Sequence, residues 1–85
     1  MSSAIENQSV TSIGVFKEYS NGYFIFELEN GDLLDFEQIN KNILSEFDLK
    51  NNQFKNQRFE VVYKEIIDED DEDFMVFKID KLVKL

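Results

Sequence analysis

The chain has 85 residues, of which 18 are acidic and nine basic, for a formal net charge of -9. It contains neither cysteine nor histidine, which excludes disulfide frameworks, zinc-thiolate sites and any catalysis or metal binding through imidazole. A chain of this length buries roughly 60 to 65% of its unfolded surface around one core, and its negative balance favours basic partners over phosphate backbones and anionic lipid.

Residues 1–9 are mostly polar and hold neither the basic start nor the apolar core of a signal peptide. They are expected to be a disordered N-terminal segment ahead of a single small β-barrel domain over residues 10–85. No apolar run approaches the roughly 20 residues of a membrane span, so the expected location is cytoplasmic, with no membrane partner.

The first strand is expected over residues 10–18, with Gly14 marking a bend or bulge. Ser20-Asn21-Gly22 reads as a tight turn into a second strand over residues 23–29, which alternates Phe24, Phe26 and Leu28 inward against Tyr23, Ile25, Glu27 and Glu29 outward. Asn30-Gly31 is the strongest hairpin signal, a type I′ turn with positive φ at both positions. A third strand follows over residues 32–36, with Leu34 and Phe36 inward.

Between residues 37 and 47 the period changes. Ile39, Ile43, Leu44 and Phe47 recur at three- and four-residue steps, which places them on one helical stripe, with Asp35 and Gln38 spaced for a capping box. Residues 50–57 read as a loop pinned to the core by Phe54. Two further strands are expected over residues 58–67 and 74–82, the first with Phe59, Val61 and Tyr63 on one face, the second with Met75, Phe77 and Ile79. The six acids between them, Asp68, Glu69, Asp70, Asp71, Glu72 and Asp73, repel one another and are expected to form a mobile, solvated hairpin loop.

The order strand, strand, strand, helix, strand, strand predicts a mainly β fold, a five-stranded OB-like small barrel with one short helix. An SH3-like barrel or a curled antiparallel sheet with one helix uses the same elements, because element order alone does not fix strand pairing. The strings Gly14-Val15-Phe16-Lys17-Glu18 and Tyr23-Phe24-Ile25-Phe26-Glu27-Leu28-Glu29-Asn30-Gly31 resemble the opening strands of the bacterial translation initiation factor one family, small OB-fold proteins of the S1 type. The resemblance implies the fold for the first half of the chain. It does not extend to the family's RNA-binding residues: Gln38-Ile39-Asn40-Lys41-Asn42 stands where that family carries a basic segment, Asn56-Gln57 replaces its Gly-Asp turn, and the acidic run replaces its late motifs.

Two features are candidate binding surfaces. Tyr19, Tyr23 and Ile25, with Val62, form an aromatic and apolar patch if all four face outward, and such patches dock proteins or stack bases in OB-folds; the competing reading is that barrel curvature or the helix covers them. The acidic run offers charge to a basic protein, against the simpler reading of a solvated loop; it lacks the glycine of a calcium-binding EF-hand loop, whose place Asp73 takes. Lys50, Lys55 and Arg58 form the only local basic cluster in the sequence, too little for nucleic acid unless the fold adds Lys41 or Lys64. Glu27 and Glu29 share a strand face and make no opposed acid–base pair.

The expected function is therefore a non-enzymatic binding module without cofactor or metal, which engages another protein through a sheet face, a strand edge or the acidic loop. The alternatives are an acidic inhibitor or nucleic-acid mimic that occupies a basic partner, and a divergent OB-fold that binds RNA or single-stranded nucleic acid. The apolar Leu82, Val83 and Leu85 allow a weak homodimer through the last strand as well as a monomer in which that strand closes the barrel.

Overall fold

Three bulged strands close a sheet on itself around a core of phenylalanines. The computed structural model describes residues 4–6, 9–51, 53–68 and 71–85. In chain order the elements are β1 (Ala4–Glu6), β2 (Val10–Ser20), β3 (Tyr23–Leu28), β4 (Leu33–Ile39), α1 (Lys41–Glu46), a 3-10 turn (Leu49–Asn51), β5 (Arg58–Asp68) and β6 (Asp71–Lys84). Strands β2, β3, β4, β6 and β5 pair in that order and β5 returns to β2, giving a five-stranded closed sheet. Every pair is antiparallel except β4 with β6, which run parallel. This is the expected mainly β, OB-like arrangement with one short helix, and the parallel pair excludes the curled antiparallel sheet.

β1 stands outside the ring. It pairs with β5 through Ala4↔Asp68, Ile5↔Ile67 and Glu6↔Ile66, so part of the N-terminal segment expected to be unstructured extends the sheet along the edge of β5 that β2 uses lower down.

The two hairpins differ in turn chemistry. Asn21 and Gly22 both have positive φ (54° and 86°), which fits the two-residue turn of the β2–β3 hairpin. At the β3–β4 connection only Gly31 does (90°). Gly31 N–H donates to Leu28 O at 2.9 Å and Leu28 N–H to Asp32 O at 2.8 Å, the pattern of a turn over Glu29 and Asn30 closed by a glycine bulge rather than the expected type I′ turn. The Asn30 side chain explains the choice: its Oδ1 accepts from Asp32 N–H at 3.0 Å, a local bond that fixes the turn.

Gly14 does not mark the bend either. The register break in β2 lies between Phe16 and Glu18, and Gly14 serves close approach instead, since a Cβ there would stand 3.0 Å from Leu28 Cδ2. Similar breaks lie between Phe36 and Gln38 in β4 and at Asp80 in β6, where Val62 pairs with Lys81 but Tyr63 pairs with Ile79. Each bulge bends its strand, which a small closed barrel requires.

The helix is shorter than expected. β4 runs through Ile39, which pairs with Ile79, and α1 begins only at Lys41 after Asn40. Asp35 lies within β4, so no capping box forms; Asn40 instead donates from Nδ2 to Asp80 O at 3.0 Å, meeting the carbonyl at the β6 bulge. Ile43 of α1 and Leu49 of the 3-10 turn enter the core, where Phe16, Phe26, Phe36, Phe59 and Val61 are fully buried. Phe54 pins the following loop as expected, its ring 5.4 Å from Phe47 and 6.0 Å from Phe59. β6 closes the barrel where Phe77, Lys78 and Ile79 pair with β4 as well as β5; beyond them it pairs with β5 alone, with Leu82 buried and Val83 and Leu85 exposed.

Candidate functional site

The four residues of the expected patch do not come together. Tyr23 and Ile25 do lie on the outer side of β3, opposite the buried Phe24 and Phe26. Tyr19 lies on the other side: the bulge at Lys17 reverses the alternation of β2, so Tyr19 pairs with the inward Phe24 and their rings meet at 4.8 Å. Val62 faces outward on β5 opposite Thr11, whereas Tyr23 pairs with Ser20. Nine residues of β2 separate those two partners, roughly 30 Å along the strand.

What surrounds Tyr23 and Ile25 is a chequerboard over three strands. Ile25 stands in register between Glu18 of β2 and Asp35 of β4, and in the next outward row Glu27 stands between Val15 and Leu33. Side chains directly opposite one another on a sheet face lie about 5 Å apart, so Val15, Ile25 and Leu33 each have a carboxylate beside them, while Tyr23 stands beside Ser20. Leu33 is 61% exposed and Tyr23 38%, and Glu18, Glu27, Asp35 and Glu37 are all exposed. Two cations border the face: Lys17, whose Nζ lies 3.8 Å from Glu27, and Arg58, which stands in register with Val15 and 3.8 Å from Glu29. The sequence carried the signal for Leu33 and Asp35, since with Leu34 and Phe36 inward strand alternation sends both neighbours outward, but the capping-box reading drew Asp35 towards the helix.

Tyr19 instead lines a cleft of about 450 Å³ at the mouth of the barrel, between the Asn21-Gly22 turn, the end of β4, the start of α1 and Lys78 of β6. Phe24, Ile39 and Leu44 supply its apolar surface. Lys50 reaches over it and holds its ammonium 5.5 Å from the centre of the Tyr19 ring, within cation–π range.

The acidic run is less of a loop than its composition suggests. Asp68 ends β5, Asp71 begins β6 and the two pair across the hairpin, so at least Asp68, Asp71, Glu72 and Asp73 have strand backbone. Glu69 and Asp70, and the side chains of the other four, lie outside the described residues. Among the described residues no cluster of three or more carboxylates is placed to hold a metal ion, and no helix is long and apolar enough to cross a membrane.

One perturbed acid sits inside the barrel wall. Burial, and secondarily the Asp32 carboxylate, raise the Tyr63 phenol above its ordinary value. Its ring packs edge-on to Phe36 at 5.3 Å and to Phe77 at 6.2 Å. Comparison of the chain with protein-family models, curated proteins and solved structures gave no match.

Proposed function

We propose that the chain is a divergent OB-fold protein-binding module, non-enzymatic and cytoplasmic, that docks a basic and partly apolar segment of another protein on the outer face of β3 and β4. The supporting observation is the alternation of Tyr23, Ile25 and Leu33 with Glu18, Glu27 and Asp35 across three registered strands. An extended or helical segment with Lys or Arg beside large apolar residues would cover the apolar groups and pair its cations with the carboxylates. In OB barrels the second and third strands of the ring form the ligand face, and β3 and β4 occupy those places. Here that face is lined with carboxylates, which repels a phosphate backbone and argues for a protein in place of nucleic acid.

Selection from a random peptide library tests the proposal. The recovered peptides are expected to combine Lys or Arg with large apolar residues and to shift the amide signals of residues 23–27 and 33–37. Leu33→Ser, a change at an exposed position, is expected to weaken binding about tenfold. Binding that vanishes entirely at about 0.5 M salt and ignores Leu33→Ser would instead identify a charge mimic. Peptides that shift only β5 and β6 would defeat the assignment to this face.

A further inference from the structure

The basic side chains of this acidic protein are unevenly placed. Among the described residues Lys17 pairs with Glu27, Arg58 with Glu29 and Lys64 with Asp80, while no side-chain carboxylate pairs with the other six of the nine bases, among them Lys41, Lys50 and Lys78. Those three lysines line the same cleft beside Tyr19, opposed by the single acid Glu37. In a chain with 18 acids and nine bases, a pocket with three bases to one acid reverses the general balance. The lysines come from three separate elements, α1, the 3-10 turn and β6, so the fold gathers them; the sequence does not.

Lys41, Lys50 and Lys78 share one concavity, and an anion that enters it can be bridged by their ammonium groups. The cleft volume of about 450 Å³ falls in the range of small-molecule sites. Backbone access is open at Gly22, where nothing lies within 4 Å of the position a Cβ would take. A long polyanion leaving the cleft across β3 and β4 would meet Glu18, Asp35 and Glu37, all exposed, which limits the ligand to one that ends within the cleft. Tyr19 holds Lys50 through its ring face and so acts as a positioning residue.

We propose that this cleft binds a small molecule carrying a chain of two or three phosphates, as nucleoside polyphosphates do. The phosphate chain is held by Lys41, Lys50 and Lys78, and any organic part rests on Phe24, Ile39 and Leu44. The site adjoins the docking face and shares Glu37 with it, but its lysines and its apolar wall lie outside that face.

Titration of the full chain with sodium tripolyphosphate and with ATP, followed by amide and lysine side-chain NMR, tests the proposal against sodium sulfate at matched ionic strength. Saturable shifts at Gly22, Asn40 and Lys78 are expected with both phosphate compounds. Tighter binding of ATP would assign the apolar wall to its organic part, and equal binding would assign recognition to the phosphates. Lys50→Ala and Lys78→Ala are each expected to weaken binding about tenfold with unchanged thermal stability. Tyr19→Leu should weaken it while Tyr19→Phe keeps it, a split that general surface charge does not produce. The proposal is overturned if sulfate gives the same shifts, if no saturation is reached, if the lysine variants bind normally, or if a single-stranded oligonucleotide binds the cleft more tightly than ATP does.

Discussion

Between Arg58 and Tyr63, β5 runs between β2 and β6 and sends Phe59 and Val61 into the closed core. Beyond Tyr63 the same strand leaves the ring, and its neighbours become β1 and the first half of β6. Ile66 and Val76 are buried in this arm yet lie outside the main core cluster, and Met75 is 49% exposed. The ring surrounds its interior with five strands, so seven rings or large aliphatic chains can be packed there almost without exposure. Among the described residues of the arm, only Ile66 and Val76 are buried. Residues of one hydrophobic type on one pair of strands therefore carry different energetic weight, according to whether the sheet closes around them.

The largest expected effect tests that difference directly. Phe59→Ala should cost about 3 to 5 kcal/mol in urea unfolding, because its ring touches Phe26, Phe47 and Phe54 and the cavity cannot collapse. Met75→Ala should stay within about 0.5 kcal/mol. Equal costs would mean that the arm belongs to the same core. Next comes Gly14→Val, which places methyl groups against Leu28 in the closed wall and should cost roughly 1 to 3 kcal/mol. Gly31→Ala forces alanine to a φ of 90° and should cost about 1 kcal/mol, while leaving the barrel core intact by near-UV spectra.

These same residues explain what was legible in the sequence. Strict alternation gave β3 correctly, down to Phe24, Phe26 and Leu28 inward, and element order gave the barrel class. Two of the errors, at Tyr19 and Ile39, have one cause. At each bulge an extra residue intrudes, so two inward residues stand three apart: Phe16 and Tyr19, Phe36 and Ile39, Ile79 and Leu82. A spacing of three on a strand is indistinguishable in sequence from a helical step. Ile39 was therefore read into the helix, and Tyr19 was assigned to the outer face beside Tyr23. The lysine cleft was legible in part: the fold does add Lys41 to Lys50, but Lys55, Arg58 and Lys64 do not line the cleft, and Lys78 joins it only through the parallel pairing of β4 with β6.

The smallest effect lies at the boundary between ring and arm. Tyr63 is the last residue of β5 paired to β2, and its phenol is raised above the ordinary value by burial first and by Asp32 second. A raised value means that the folded state keeps the proton where the unfolded chain, titrating near pH 10, has lost it. Its contribution is complete below the unfolded value and is lost as pH rises through the folded one. Stability should thus fall between pH 9 and a strongly alkaline limit (about pH 11) more steeply in the wild type than in Tyr63→Phe, which has no proton to lose. The informative quantity is the difference between the two proteins' melting temperatures across that range, which cancels every group the two share. Parallel curves would place Tyr63 in a solvated position and move the end of the enclosed core back to Val61.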